Sequence, residues 1–262
     1  MVLERIISLK TAMRQPAWMF IIGGVVSTIC LVISYFIFQS SVGLFTTMLI
    51  TIAMMPFMVN LIRYDEAREE EIKGIEKMNL FQRHKDVLKV YIAFFGGMIL
   101  CMSLLYILFP QELAEKIFND QISEINAIRG NIAFFGNAEK ILVNNTGVLA
   151  LSFVFSFLFG AGAVFILAWN ASVLAAAIGI AAKSIGGVKG LPVAIMVFFP
   201  HGSLEILAYF IGALAGGLVS TVVMRKKSPK FWFVIKDGLQ LMVVAGVLLV
   251  IAALVESMAM GL

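Results

Sequence analysis

Charge is what this sequence has little of. Only 14% of its 262 residues are Asp, Glu, Lys or Arg, while 61% are hydrophobic, against roughly 25% charged and 45–50% apolar in soluble domains. No water-soluble fold can hide that share of apolar side chains, so a soluble globule is excluded. Cysteine is scarce too: Cys30 and Cys101 both sit inside hydrophobic runs, which excludes a disulfide scaffold and reads as small buried hydrophobes rather than redox or metal chemistry. Histidine is limited to His84 and His201. No HExxH, GxxxxGK[ST] or GxSxG motif occurs, and carboxylates or thiolates for a three-ligand zinc site are not at hand near His201. The chain is therefore expected to be non-enzymatic, with no catalytic residues, no cofactor and no metal. Long continuous apolar runs, rather than alternating ten-residue segments, argue against a transmembrane β-barrel.

The charge that exists is clustered. Fourteen charged residues fall in residues 63–89, eight in 110–146 and six in 225–237, while Glu205 and Glu256 stand alone in apolar sequence. Charge-free stretches of span length between charged segments describe an all-α polytopic helical membrane bundle. The pI near 9.1 follows from basic residues at span ends and carries no implication of nucleic acid.

The first apolar run, Ala17 to Phe38, is a retained span rather than a signal peptide. Gln39, Ser40 and Ser41 turn into a second, Val42 to Ile62, with a kink expected at Pro56. Residues 64–82 have the composition of a soluble helical excursion. A third span, Val90 to Phe109, ends at Pro110. Beyond it Leu113, Ile117, Phe118, Ile122, Ile125 and Ile128 share one face of a helix lying on the membrane surface or on the bundle. From Thr146 to Ala182 the chain is apolar for too long to be one span, and Trp169-Asn170-Ala171-Ser172 is the expected fold-back. Further breaks are expected between Lys183 and Gly190 and at Pro200, giving about seven crossings with one broken helix in the carboxyl-terminal half. Ser203 to Met224 and Gly238 to Glu256 complete the set.

Three parts are expected: residues 1–110, a membrane part with three spans and the segment 63–89; residues 111–146, an extracytoplasmic amphipathic segment; and residues 147–262, the second membrane part. Fifteen of the twenty Lys and Arg residues lie in the amino terminus, 63–89 and 225–237. The tendency of basic residues to stay inside places those segments in the cytoplasm of a cell membrane and the carboxyl terminus outside. Asn144-Asn145-Thr146 has the pattern of a glycosylation acceptor but abuts the membrane.

The candidate site is Phe199-Pro200-His201-Gly202-Ser203-Leu204-Glu205. Pro200 and Gly202 would break the helix and Ser203 would cap the next, with Glu205 in its first turn. His201 and Glu205 would then lie one turn apart, within direct or one-water hydrogen-bonding reach. Ionisable residues within spans default to a functional-site hypothesis; the alternative is that the pair ties a broken helix to exposed carbonyls. Asn170 is either an interfacial turn residue or a partner for the His201 region. Gly160, Gly162, Gly212, Gly216 and Gly217, with Ser152 and Ser156, are expected to let helices approach closely.

These segments resemble a known family. The stretch from Asn145 through Gly160-Ala161-Gly162, the Trp169-to-Gly179 stretch, Pro200-His201-Gly202-Ser203-Leu204-Glu205 and Ile211 to Gly217 are similar to the stage II sporulation protein M family of integral membrane proteins, over residues 144–225. The resemblance implies a multi-pass protein that scaffolds or recruits envelope partners, such as the wall-degrading and other membrane proteins of septum remodelling. It carries over to Pro200, His201, Gly202 and Glu205, and to Asn170, as motif residues without an assigned chemistry. The expected partners are the bilayer and other envelope membrane proteins, with a homo-oligomer through the small-residue faces kept open. A channel or transporter with a polar site at His201 and Glu205 is the alternative, and an intramembrane enzyme stands behind both.

Overall fold

The computed structural model describes residues 7–71, 78–135, 138–160, 162–224 and 231–259. Its helices are α1 (Leu9–Arg14), α2 (Ala17–Ile37), α3 (Val42–Glu71), α4 (Leu80–Leu108), α5 (Gln111–Ile117), α6 (Asn119–Phe135), α7 (Ala138–Phe159), α8 (Val164–Ile185), α9 (Leu191–Met224) and α10 (Phe231–Ala259). Seven of them, α2, α3, α4, α7, α8, α9 and α10, are long and apolar enough to cross a membrane. An α-helix rises 1.5 Å per residue, so about 20 residues cross a core of about 30 Å.

Several expected boundaries hold. The first span runs over Ala17–Ile37 and the third stops at Leu108, one residue before Phe109-Pro110. The α2–α3 turn needs a left-handed residue, which Ser41 supplies at φ 55°. Of the expected amphipathic face, Ile117, Phe118 and Ile125 are buried and Leu113, Ile122 and Ile128 half-buried. Those side chains lie on the bundle, against the core cluster.

Other boundaries moved. The fold-back falls at Gly160, φ 76°, and not at Trp169-Asn170-Ala171-Ser172, which lies inside α8. Asn170 and Ser172 satisfy their polar groups on their own helix, donating to the Ile166 carbonyl at 2.8 Å and the Trp169 carbonyl at 2.7 Å, so they do not stop it. The interruption between Lys183 and Gly190 is present: Gly186 and Gly187 take φ 143° and 71° and a 3-10 turn follows over Gly187–Gly190. It joins two full crossings, because α8 alone is 22 residues long. No break occurs at Pro200. Helix α9 runs through it for 34 residues, as α3 runs through Pro56; proline removes one backbone bond, a loss that packed neighbours offset in membrane helices. Ser203 therefore caps nothing, and Glu205 is not in a first turn.

The expected excursion over 64–82 is not one helix. Residues 64–71 continue α3, Leu80 begins α4, and 72–77 lie outside the described residues.

Close helix approach sets the topology. A Cβ added to Gly97 would collide with the Phe20 carbonyl oxygen, and one on Gly23 with that of Phe94, so α2 and α4 cross almost backbone to backbone; farther along both, Gly24 and Thr28 meet Cys101, so the two run parallel. Gly212 meets Leu149 and Gly216 the Phe153 carbonyl oxygen, making α7 and α9 parallel too. Gly202 faces Leu174 across the α8–α9 hairpin, and Gly238 faces Val219 across the α9–α10 hairpin. Without a hydrophobic force between helices in lipid, such approach supplies the van der Waals packing that holds them. The crossings alternate, leaving two ends. One collects the carboxyl-terminal ends of α3, α7 and α9 and the amino-terminal ends of α2, α4, α8 and α10; we call it the basic end. The other carries α5 and α6.

Candidate functional site

Among the described residues two clusters of ionisable side chains stand out, one toward each end. Glu205 is half-buried on α9, and Asn145 of α7, itself buried, donates from Nδ2 to Glu205 Oε1 at 2.6 Å. The parallel α7–α9 packing allows this bond: Gly212 and Gly216 bring the helices together, and Asn145 and Glu205 meet on the amino-terminal side of that contact. Glu256 near the end of α10 is close enough for its charge to act on Glu205. The cluster therefore joins α7 and α9 at a carboxylate within the spans.

The direct form of the expected His201–Glu205 pairing is not formed. Both lie on one face of α9, but no direct hydrogen bond or ion pair joins them among the described residues. The carboxylate turns to Asn145 instead. His201 is half-buried beside Phe198, ring centroids 6.1 Å apart, and its Nδ1 is buried without a partner. Pro200 is exposed, and Gly202 is buried against Leu174. Asn170 is neither a turn residue nor a partner of His201, its amide being spent on the Ile166 carbonyl.

Of the predicted packing glycines, Gly216 and Gly217 lie against Phe153 and Ile62, and Gly162 against Phe155. Gly160 serves a turn instead. The faces of Gly212, Gly216 and Gly217 are covered by α7 and α3 of the same chain, so the surface expected to meet a second copy is already occupied.

Sequence reasoning missed the second cluster, at the basic end. Arg83 of α4 forms an ion pair with Asp237 of α10, Nη2 donating to Oδ1 at 3.0 Å and Nη1 lying 2.7 Å from Oδ2, and its guanidinium lies 4.7 Å from the Phe233 ring centroid. His84 Nδ1 lies 3.0 Å from Asp65 Oδ2 of α3, with Nε2 3.8 Å from Asp237 Oδ2. Arg68 bridges Asp65 and Asp86, each at 3.0 Å. Asp65, His84, Arg83 and Asp237 are at most 6% exposed. Such a web stitches three helices together, because each charge is fixed by an opposite one and by hydrogen bonds. A signal was present: Asp237 is the sole acid among residues 225–237 and directly precedes an apolar run. Asn145 was overlooked because its sequence context suggested a surface acceptor.

Comparison with known proteins extends the resemblance well beyond residues 144–225. The family model for stage II sporulation protein M matches residues 17–259, nearly the whole chain, and the chain belongs to that family. No curated protein and no solved structure is similar enough to this chain to count as a match.

Proposed function

We propose that this member of the stage II sporulation protein M family is a non-enzymatic scaffold of the cell membrane, with its basic end and amino terminus in the cytoplasm, that holds envelope proteins against the bilayer. The observation that carries this reading is the layer between the two polar clusters. Tyr91, Phe94, Phe95 and Phe210 are at most 3% exposed, with ring centroids 5.1 Å apart for Phe94 and Phe95, 5.2 Å for Phe95 and Phe210 and 5.7 Å for Tyr91 and Phe210. Conduction needs polar groups or water along the whole path, and here a layer of packed rings interrupts it. At the end opposite the basic one, α5 and α6 bury one face and expose Glu112, Glu115, Lys116, Asn119, Ser123 and Asn126, a polar surface suited to a folded partner.

A transporter is the second reading, favoured by the carboxylate of Glu205 within a span, where ionisable groups are costly and commonly functional. Site-specific photo-crosslinking from Ser123 in native membranes tests the first. Discrete crosslinks to envelope proteins are expected, reduced when Glu112, Glu115 and Lys116 are replaced by Ala without loss of thermal stability. Crosslinks to lipid alone would overturn the scaffold.

A further inference from the structure

We propose that a recess at the basic end binds the phosphate headgroup of an anionic phospholipid through Arg63 and Ser220. The recess has a volume of about 270 Å³ and is lined by Val59, Arg63, Gly160, Ser220, Thr221 and Met224. At about 30 Å³ per water in the liquid, that is more than a phosphate requires and far less than a whole lipid, so a headgroup enters while its chains stay in the bilayer. Three elements build the site: α3 supplies Val59 and Arg63, the Gly160 turn its floor, and the last turns of α9 the rest. Gly217 packs on the Gly160 carbonyl and Ile62, fixing that turn between α3 and α9.

The donors fit the ligand. Arg63 is exposed and has no carboxylate partner among the described residues, although Arg68, one turn on, is doubly paired. Ser220 is only 3% exposed, yet its hydroxyl has no hydrogen-bond partner among the described residues, and it lines the recess. The hydroxyl is not sealed in the core, and a phosphate oxygen in the recess, an acceptor, would give it a partner. The Thr221 hydroxyl already donates to the Gly217 carbonyl at 2.9 Å, so it adds no donor. A guanidinium and one hydroxyl aimed into a single recess match two phosphate oxygens. Val59 and Met224, the latter 71% exposed, give the acyl chains an apolar exit. The depth is also that of a headgroup: Gly238 packs on Val219, which sets Ser220 level with Asp237 and the ionic web at the edge of the spans. In sequence, Arg225, Lys226 and Lys227 follow Met224, and basic residues next to a span favour anionic lipid.

The test is native mass spectrometry of the full chain in a non-ionic detergent, titrated separately with phosphatidylglycerol, phosphatidylcholine and inorganic phosphate. The wild type is expected to retain phosphatidylglycerol about tenfold more tightly than phosphatidylcholine, whose phosphate is the same but whose choline cation offsets its charge and is repelled by Arg63. Arg63→Gln should abolish the preference, Arg63→Lys should keep part of it, and Ser220→Ala should reduce it several-fold with thermal stability unchanged. Equal retention of the two lipids, or a preference that survives both Arg63→Gln and Ser220→Ala, would overturn the site. Displacement of phosphatidylglycerol by equimolar inorganic phosphate would show a free-phosphate site and overturn the lipid assignment.

Discussion

At the basic end, Arg83 is held to Asp237 by an ion pair and a hydrogen bond across 154 positions of sequence, and five further side chains join the same web. Around Glu205 the carboxylate meets one amide, Asn145, across 60 positions, while His201 beside it has an unpartnered buried nitrogen. The first cluster spends its charges on one another at the edge of the bilayer. The second leaves a carboxylate and an imidazole with capacity to spare inside a span. Charges accumulate where a partner of opposite sign repays desolvation, and a sparse polar group persists at depth where it is used. On that contrast the basic end is a clamp, and the Glu205 region is the less tightly tied of the two.

Breaking the clamp should have the largest effect. Arg83→Ala leaves Asp237 buried and unpaired and should cost about 3–5 kcal/mol, read as thermal denaturation in detergent; Asp237→Ala should match it, and the double variant should cost clearly less than the sum. Additive losses would show that the two do not act as a pair. Next comes packing at the second cluster's own helix pair: Gly216→Ala drives a methyl into the Phe153 carbonyl and should cost about 1–3 kcal/mol. Wild-type stability in that variant would mean that α7 and α9 can separate freely.

Smaller again is the polar bond there. Asn145→Ala should cost about 1–2 kcal/mol, and Glu205→Gln less, because an amide oxygen still accepts from Asn145. The smallest effect belongs to His201→Ala, under about 1 kcal/mol and additive with Glu205→Gln to within about 0.5 kcal/mol. Strong coupling between His201 and Glu205 in that cycle would restore the direct pair that the sequence suggests and the geometry does not form.

What was legible follows from how far each signal reaches. Spans show as uninterrupted apolar length, a local property, and so α2, the end of α4 and the amphipathic face of α5 and α6 stand where the chain says. Breaks were misjudged because helix breakers act differently in lipid. Pro200 and Asn170 look like stops on a water-based scale, but packing on α8 and α10 carries α9 through the first, and a bond to Ile166 absorbs the second. Glu205 was conspicuous as a lone charge in apolar sequence, whereas its partner Asn145 depends on the parallel register of α7 and α9, which no local pattern encodes. The clamp was hidden for the same reason: Asp65, Arg83 and His84 lie in a charged segment that reads as solvated, and only the return of α10 buries them against Asp237.

The account rests on an interior sealed between its two polar clusters, and flux through reconstituted liposomes tests that most directly. With the purified chain in dye-loaded vesicles under a proton, sodium or potassium gradient, leakage should equal that of empty vesicles for both the wild type and Glu205→Gln. Robust flux in the wild type that Glu205→Gln removes at unchanged thermal stability would contradict the sealed scaffold and make the Glu205 region a transport site.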